Sequence, residues 1–225
     1  LHRRRHSFPT RRSSDLQQDE AYVVVFGRTQ VGKTTLILDM MGLEPASLER
    51  VSLVLRGGRA QGQSATATTM EYRRSSDQRW GIRIADEVIR WFDDDGEITS
   101  ELCQLRKAME QRHQLGNMPC VLHIPKDCFA SQLNQPAVRI LDLPGDRPAN
   151  PIEQEHVDEM ARKYVPLADL VLLVGKGDDL SFLQPGALTL PGVEDWQCMP
   201  ARFRIITTFS FTAQSVRELI RQHDG

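Results

Sequence analysis

The sequence predicts a three-layer α/β fold, in which helices cover both faces of a mainly parallel central sheet. Short apolar runs rich in β-branched residues, typical of strands buried on both faces, occur at residues 21–26, 138–141, 169–174 and 204–207. Segments with helical spacing or helix-capping residues separate these runs, and such alternation favours parallel strands joined by helices. With 225 residues, 40% of them hydrophobic, the chain can bury one sizeable core, so we expect one domain over residues 17–225.

Residues 1–16 (LHRRRHSFPTRRSSDL) precede that domain and show neither apolar periodicity nor the hydrophobic stretch of a signal peptide. An arginine-rich arm of this kind can bind nucleic acid or lipid. The string also resembles translated sequencing-adapter read-through, and we therefore expect a non-native or disordered segment outside the fold. That interpretation makes the chain a fragment at its N-terminus and leaves open a truncation at its C-terminus.

A glycine loop with the pattern GxxxxGK[ST] follows the first strand and leads into a helix expected at residues 33–41. Strand, glycine loop and helix in this order are the context of a P-loop, which binds nucleotide phosphates through backbone N–H groups and the positive end of the helix. Lys33 is expected to bridge the β- and γ-phosphates, Thr34 to bind Mg²⁺ and Thr35 to reach the α-phosphate. The predicted phosphate-binding residues of the loop are Gly27, Arg28, Thr29, Gln30, Val31, Gly32, Lys33, Thr34 and Thr35.

Small polar residues at 57–69 predict a mobile loop, and a short strand is expected through residues 70–72. This loop is the predicted position of a threonine that closes the site by offering an oxygen atom to Mg²⁺ and the γ-phosphate. Thr66 is the first candidate and Thr68 the second. Further along the chain we expect a strand at residues 79–84, an amphipathic segment at 86–92 and a helix at 98–115 that covers the sheet edge.

The strand at residues 138–141 leads into the sequence Asp142-Leu143-Pro144-Gly145. A nucleotide site needs a carboxylate near Mg²⁺ and a glycine whose N–H group meets the γ-phosphate, and Asp142 and Gly145 fit these roles because they follow a P-loop in chain order. Asn150, followed by a proline and by a glutamate three positions on, predicts the start of a helix that ends near residue 164. An irregular stretch is expected at residues 175–200, and a last helix from about residue 213.

These motifs resemble the first three motifs of the translation-factor-related GTPases, and their spacing most resembles the dynamin superfamily. In that superfamily a long insertion with a helix separates the switch threonine from a strand ending in DLPG, and a further helix leads to a buried strand. The segments ITSELCQLRKAMEQRHQLG, VRILDLPGD and EHVDEMARKYVPLADLVLLV follow that order here. The resemblance covers residues 22–208 and implies a P-loop NTPase domain of the GTPase type, with GTP and Mg²⁺ as its ligands.

The chain departs from that family at the guanine-reading motif [NT]KxD, where it has Thr207-Thr208-Phe209-Ser210. Ser210 replaces the aspartate that accepts two hydrogen bonds from guanine, and Thr208 replaces the lysine that covers the ring. Three alternatives stay open: the base is read elsewhere, the site is lax, or ATP is accepted. Asp178 or Asp179 is a further candidate for reading the base, against an ordinary solvated loop.

The residues that orient the attacking water also differ from those of the family, and the chain lacks the Ras-like glutamine after DxxG. Gln30 is expected to orient this water from the fourth P-loop position, so the predicted catalytic set is Gln30, Lys33 and Thr66. Arg28 and Arg147 are candidates to place positive charge near the γ-phosphate, against a plain surface role.

We therefore expect Mg²⁺-dependent binding and hydrolysis of a nucleoside triphosphate, GTP in the first place, by a dynamin-like switch. The alternatives are a regulatory module that holds a nucleotide with little turnover and an ATPase with the same P-loop. The resemblance implies a homodimer across the nucleotide site and a membrane or protein partner. A net charge of -2 gives no general attraction to nucleic acid. The four cysteines lack CxxC spacing, so we expect a reduced cytoplasmic protein in which Cys120 and Cys128 are buried thiols.

Overall fold

The computed structural model describes residues 21–57, 69–110, 118–130, 138–143, 151–184, 198–210 and 214–223. Within these ranges one sheet contains the strands β1 (Ala21–Gly27), β2 (Met70–Arg74), β3 (Trp80–Arg83), β4 (Arg90–Phe92), β5 (Cys120–Ile124), β6 (Val138–Asp142), β7 (Leu170–Lys176) and β8 (Phe203–Thr208). The helices are α1 (Lys33–Met40), α2 (Pro45–Arg56), α3 (Asp95–Glu110), α4 (Pro151–Tyr164) and α5 (Gln214–His223).

The strands lie in the order β4-β3-β5-β2-β6-β1-β7-β8. Strands β6, β1, β7 and β8 are parallel to one another, and so are β2 and β5. The antiparallel pairs are β2 with β6, β3 with β5, and β3 with β4. The sheet is mostly parallel, as predicted, and the carboxyl ends of four neighbouring parallel strands meet at one edge.

Both faces of the sheet around β1 are covered by helices. Val23 and Val25 of β1 belong to a buried cluster that includes side chains of α1, α2 and α3, whereas Val24 and Phe26 belong to a second cluster with Met160 of α4. Successive side chains of a strand point to opposite faces, so the unbroken apolar run of β1 supplies both clusters. The arrangement places β1 in the middle layer, with its carboxyl end beside those of β6, β7 and β8.

The segments predicted as strands at residues 21–26, 70–72, 79–84, 138–141, 169–174 and 204–207 are all strands, with ends shifted by a few residues at most. Among the described residues, helix α2 and strand β5 were not predicted from the sequence. Helix α2 begins with Pro45 and ends before Gly57, whose φ of 55° lies in the left-handed region, so its start and stop signals are both present in the sequence. Strand β5 (CVLHI) is short, and its half-buried histidine interrupts the apolar run by which a strand is predicted.

The helix predicted at residues 98–115 begins earlier, at Asp95. The carboxylate of Asp94 accepts hydrogen bonds from the N–H groups of Gly96 (2.7 Å) and Glu97 (3.2 Å), which caps the first turn. Helix α3 packs on β3 and β4, and so covers the sheet edge as predicted. The amphipathic segment predicted at 86–92 contains the edge strand β4.

A buried carboxylate joins β2 to β6, the strand that ends at Asp142. The fully buried Glu71 accepts hydrogen bonds from Arg139 Nη2 and Arg73 Nε, each at 2.6 Å. Burial acts to raise the pKa of Glu71, but the hydrogen bonds and positive charges of the two arginines outweigh it and lower the pKa below its usual value. Arg139 also lies over the ring of Tyr22 in β1, with its Cζ atom 5.4 Å from the ring centroid.

The four cysteines are free thiols, and Cys120 and Cys128 are buried, as predicted. Among the described residues, no helix combines the length and apolar character that crossing a bilayer requires.

Candidate functional site

The glycine loop begins where β1 runs closest to β7. Gly27 lies opposite Val174 in the sheet, and a Cβ atom at this position would lie only 2.1 Å from the Val174 carbonyl oxygen. No side chain fits there without moving the backbone of β7. At the other end of the loop, Gly32 has a φ of 83° and directly precedes α1, and Gln30 has a φ of 60°. Left-handed conformations at these two positions turn the chain back on itself before the helix.

The ammonium group of Lys33 lies inside the curve of this loop. Its Nζ atom donates hydrogen bonds to the carbonyl oxygens of Gly27 (3.1 Å) and Arg28 (2.9 Å), and the side chain is buried. Lys33 is also the first residue of α1, so its charge lies at the positive end of a helix. A buried cation, a helix N-terminus and a curled backbone together form a site suited to an anion.

Thr34, the next residue, meets the carboxylate predicted to lie near Mg²⁺. The Thr34 hydroxyl donates a hydrogen bond of 2.9 Å to Oδ2 of Asp142, across 108 positions of the chain. Asp142 is the last residue of β6, pairs with Val25 of β1 and is fully buried. Hydroxyl and carboxylate oxygens are hard ligands of the kind that Mg²⁺ prefers, so these two groups fit the predicted metal.

The other predicted site residues are placed less centrally. Thr29 is half-buried, while Gln30 and Thr35 are exposed at the surface of the loop and of α1. The candidates Thr66, Thr68, Gly145 and Arg147 lie outside the described residues, and their roles remain predictions.

Arg28 forms an ion pair with the segment that follows β7. Its Nη1 atom lies 3.1 Å from Oδ2 of Asp179, and both side chains are partly exposed. Asp179 also accepts a hydrogen bond from the Ser181 N–H group. Hydrogen bonds from Ser181, together with the positive charges of Arg28 and Lys176, lower the pKa of the Asp179 carboxyl group. Asp179 was considered above as a reader of the base, and the structure shows it paired with Arg28 of the glycine loop.

A small cavity of about 190 Å³ lies between this segment and the glycine loop. Arg28, Thr29 and Val31 line it on one side, and residues 174–176 with Asp179 line it on the other. The cavity therefore continues the anion site in the direction of β7, away from Asp142.

The end of β8 approaches the loop from the same side, a contact that the sequence did not predict. The hydroxyl of Thr208 donates a hydrogen bond to the carbonyl oxygen of Val31 (2.5 Å), and the carbonyl oxygen of Gly175 lies 3.2 Å from the same hydroxyl oxygen. The hydroxyl of Ser210 turns back to its own strand and lies 2.9 Å from Oγ1 of Thr207. In the sequence these residues had been compared with the guanine-reading motif of the family that the chain resembles, but their hydroxyl contacts depend on the folded arrangement.

No protein-family model matches the chain, and no curated protein matches it. Among solved structures, two similar ones come from studies of an oligomerised bacterial dynamin pair in the long-range sensing and tethering of membranes. The first is 8% identical with a TM-score of 0.41, and the match covers 91% of this chain and 28% of that chain. The second is 13% identical with a TM-score of 0.38, and covers 92% of this chain and 30% of that chain. The solved structures similar to this chain thus include bacterial dynamins, of whose length it spans less than one third.

Proposed function

We propose that the chain binds a nucleoside triphosphate with Mg²⁺, GTP in the first place, and hydrolyses it as a dynamin-like switch. The observation that carries this proposal is the hydrogen bond between Thr34 and the buried Asp142, beside the curled glycine loop. A hydroxyl at the start of α1 and a carboxylate at the end of a neighbouring parallel strand are the two protein groups that such a site needs around its metal.

Each residue of the loop has a distinct part in binding. The backbone N–H groups between Gly27 and Lys33 bind phosphate oxygens, and the glycines keep these groups accessible. Lys33 exchanges its hydrogen bonds to the Gly27 and Arg28 carbonyl oxygens for bonds to phosphate. Thr34 and, through water, Asp142 hold Mg²⁺, which when bound neutralises charge on the phosphates. The segments at Thr66 and Gly145 report the presence of the terminal phosphate.

Hydrolysis requires a water molecule placed in line with the terminal phosphorus atom. Gln30 is our candidate for this role, because it is exposed at the turn of the loop and its side-chain amide can both donate and accept hydrogen bonds. Gln30→Ala is expected to slow turnover while nucleotide binding persists. Unchanged hydrolysis in this variant removes Gln30 from the mechanism.

The metal-binding part of the proposal is tested by two substitutions of Thr34. Thr34→Ser keeps the hydroxyl, whereas Thr34→Val keeps the shape of the side chain and lacks the oxygen atom. Titration calorimetry with a non-hydrolysable GTP analogue then compares the nucleotide affinities of the two variants, with and without Mg²⁺. We expect Mg²⁺ to strengthen nucleotide binding by wild type and Thr34→Ser but not by Thr34→Val. Equal Mg²⁺ dependence in all three proteins refutes the assignment of Thr34 as a ligand.

The phosphate-binding part is tested by Lys33→Ala, with Lys163→Ala at the exposed end of α4 as the matched control. Loss of nucleotide binding is expected in the first variant alone. A wild-type chain that binds nucleotide but shows no turnover at any protein concentration is a regulatory module. Turnover that rises with protein concentration supports a homodimer across the nucleotide site, which the resemblance to dynamins implies.

A further inference from the structure

An aromatic side chain lies against the P-loop at the end of β8. Phe209 is 51% exposed, and its Cε2 atom lies 3.7 Å from the point that a Cβ atom on Gly32 would occupy. The ring therefore lies over the backbone at the start of α1. The Nζ atom of Lys176, the last residue of β7, lies 5.9 Å from the ring centroid, within the range of a cation–π contact.

The backbone that presents this ring is held in a conformation unusual for phenylalanine. Phe209 has a φ of 54°, in the left-handed region that side-chain-bearing residues rarely adopt. The preceding Thr208 is bonded through its hydroxyl to the P-loop, and its carbonyl oxygen accepts a hydrogen bond of 2.8 Å from the Gly177 N–H group. Neighbouring strands thus fix the position of Phe209, and such over-determined backbone occurs preferentially at functional sites.

On the proposed function, the order of the strands indicates which part of a bound nucleotide reaches Phe209. The proposed metal ligands Thr34 and Asp142 lie toward β6, so the terminal phosphate lies on that side of the P-loop. The nucleoside then extends in the opposite direction, over β7 and β8. Strand β8 lies two strand spacings, or about 10 Å, from β1, and so lies beyond the phosphates on the nucleoside side.

We propose that Phe209, with Lys176 beside it, is a stacking site for the purine base and that this site accepts guanine and adenine alike. The inference rests on the proposed function. Stacking on an aromatic ring tolerates any base, because every base has a π-face. At the end of β8 the Ser210 hydroxyl points to Thr207 and cannot replace a carboxylate that accepts two hydrogen bonds from guanine. Affinity therefore comes from stacking, without strong selection between the two purines.

The test uses the full chain and three probes with Mg²⁺: non-hydrolysable analogues of GTP and of ATP, and inorganic tripolyphosphate, which has no base. Titration calorimetry is expected to give GTP and ATP dissociation constants within about tenfold of each other, both below that of tripolyphosphate. Phe209→Ala is expected to weaken binding of both nucleotides by about 5- to 150-fold, the range of base–aromatic stacking, and to leave tripolyphosphate binding unchanged. Phe209→Tyr is expected to retain wild-type affinity.

Ile205→Ala is the matched control, because Ile205 lies in β8, which leads into Phe209, and is 50% exposed. Equal affinities of Phe209→Ala and Ile205→Ala overturn the stacking site. A wild-type preference for either nucleotide well beyond about tenfold overturns the lack of selection between the purines. Nucleotides that bind no tighter than tripolyphosphate overturn the base site while the phosphate site stands. Failure of the wild-type chain to bind any of the three probes refutes the proposed function, and the inference with it.

Discussion

Substituting Gly27 by alanine should damage both the sheet and the proposed phosphate site. The added Cβ atom lies 2.1 Å from the carbonyl oxygen of Val174, 3.1 Å from its carbonyl carbon and 3.3 Å from its nitrogen. To reach an ordinary contact of about 3.4 Å, β1 and β7 must separate by more than 1 Å at the entrance of the loop. The obstacle is the backbone of a central strand, which cannot turn away as a flexible side chain can.

Overpacking of this kind typically costs about 1–3 kcal/mol, and we expect the upper part of that range because the contact is with backbone. At about 2–4 °C per kcal/mol for a domain of this size, a cost of about 3 kcal/mol lowers Tm by about 6–12 °C. The displaced loop also moves its N–H groups, and a misplacement of about 1 Å can cost about a hundredfold in function. Phosphate affinity is therefore expected to fall together with stability.

The measurement is urea unfolding followed by tryptophan fluorescence, combined with calorimetry of nucleotide binding. Gly32→Ala is the control, because a Cβ atom there meets nothing closer than 3.7 Å and only the left-handed φ of 83° opposes the substitution. We expect a smaller stability loss in Gly32→Ala, of about 1–2 kcal/mol. If the Gly27→Ala protein is as stable as the Gly32→Ala protein and binds nucleotide normally, the close approach of β1 to β7 is refuted.

Three further predictions concern charge and thiol chemistry. Glu71→Gln leaves two arginines without their carboxylate and should lower the unfolding free energy by about 3 kcal/mol at neutral pH. Because the pKa of Glu71 is lowered in the folded protein, the stabilisation by Glu71 is present above the unfolded carboxyl pKa and is lost as the pH falls through the folded value. The unfolding free energies of wild type and Glu71→Gln should therefore converge in acid, and a difference that persists there contradicts this account. Arg28→Gln should change stability by less than about 1 kcal/mol, because its ion pair with Asp179 is exposed, and a larger loss in thermal unfolding refutes that account. A thiol reagent should label the exposed Cys198 in the native protein and spare the buried Cys120, because burial raises the pKa of the Cys120 thiol to about 12. Mass spectrometry that finds Cys120 labelled before Cys198 contradicts this order.

The parts of the fold that the sequence predicted are those set by local patterns. The buried strands carry continuous apolar runs, and β1 shows why: both of its faces pack against helices, so no polar alternation interrupts it. Strand β5 gave no such signal because the half-buried His123 interrupts its short apolar run. The antiparallel pairing of β2 and β6 could not be predicted, since strand direction depends on which strands become neighbours after folding.

The candidate site divides in the same way. The strand, glycine loop and helix in this order could be predicted because the pattern is local, and the closeness of Thr34 to Asp142 agrees with the shared metal predicted for them. The ion pair of Arg28 with Asp179 joins residues 151 positions apart, and no spacing rule connects them. The contact of Thr208 with Val31 spans 177 positions and likewise depends on β8 pairing with β7. Sequence reasoning therefore predicted more of the contacts around the glycine loop than of those at the end of β8.

The groups of the candidate site lie at the carboxyl ends of different strands, so the order of the strands keeps the proposed metal, phosphate and base positions apart. Asp142 lies at the end of β6, the glycine loop follows β1, and Phe209 follows β8, with β7 between the last two. Ser210 follows β8, two strands away from the glycine loop, so a different residue at this position leaves Lys33, Thr34 and Asp142 in place. The weak selection between purines that we propose is thus compatible with an intact proposed phosphate site. If both proposals hold, Phe209→Ala raises the KM for GTP and ATP with little effect on kcat, whereas Gln30→Ala lowers kcat with little effect on KM. The opposite pattern in either variant shows that base binding and catalysis are coupled through the loop rather than separate.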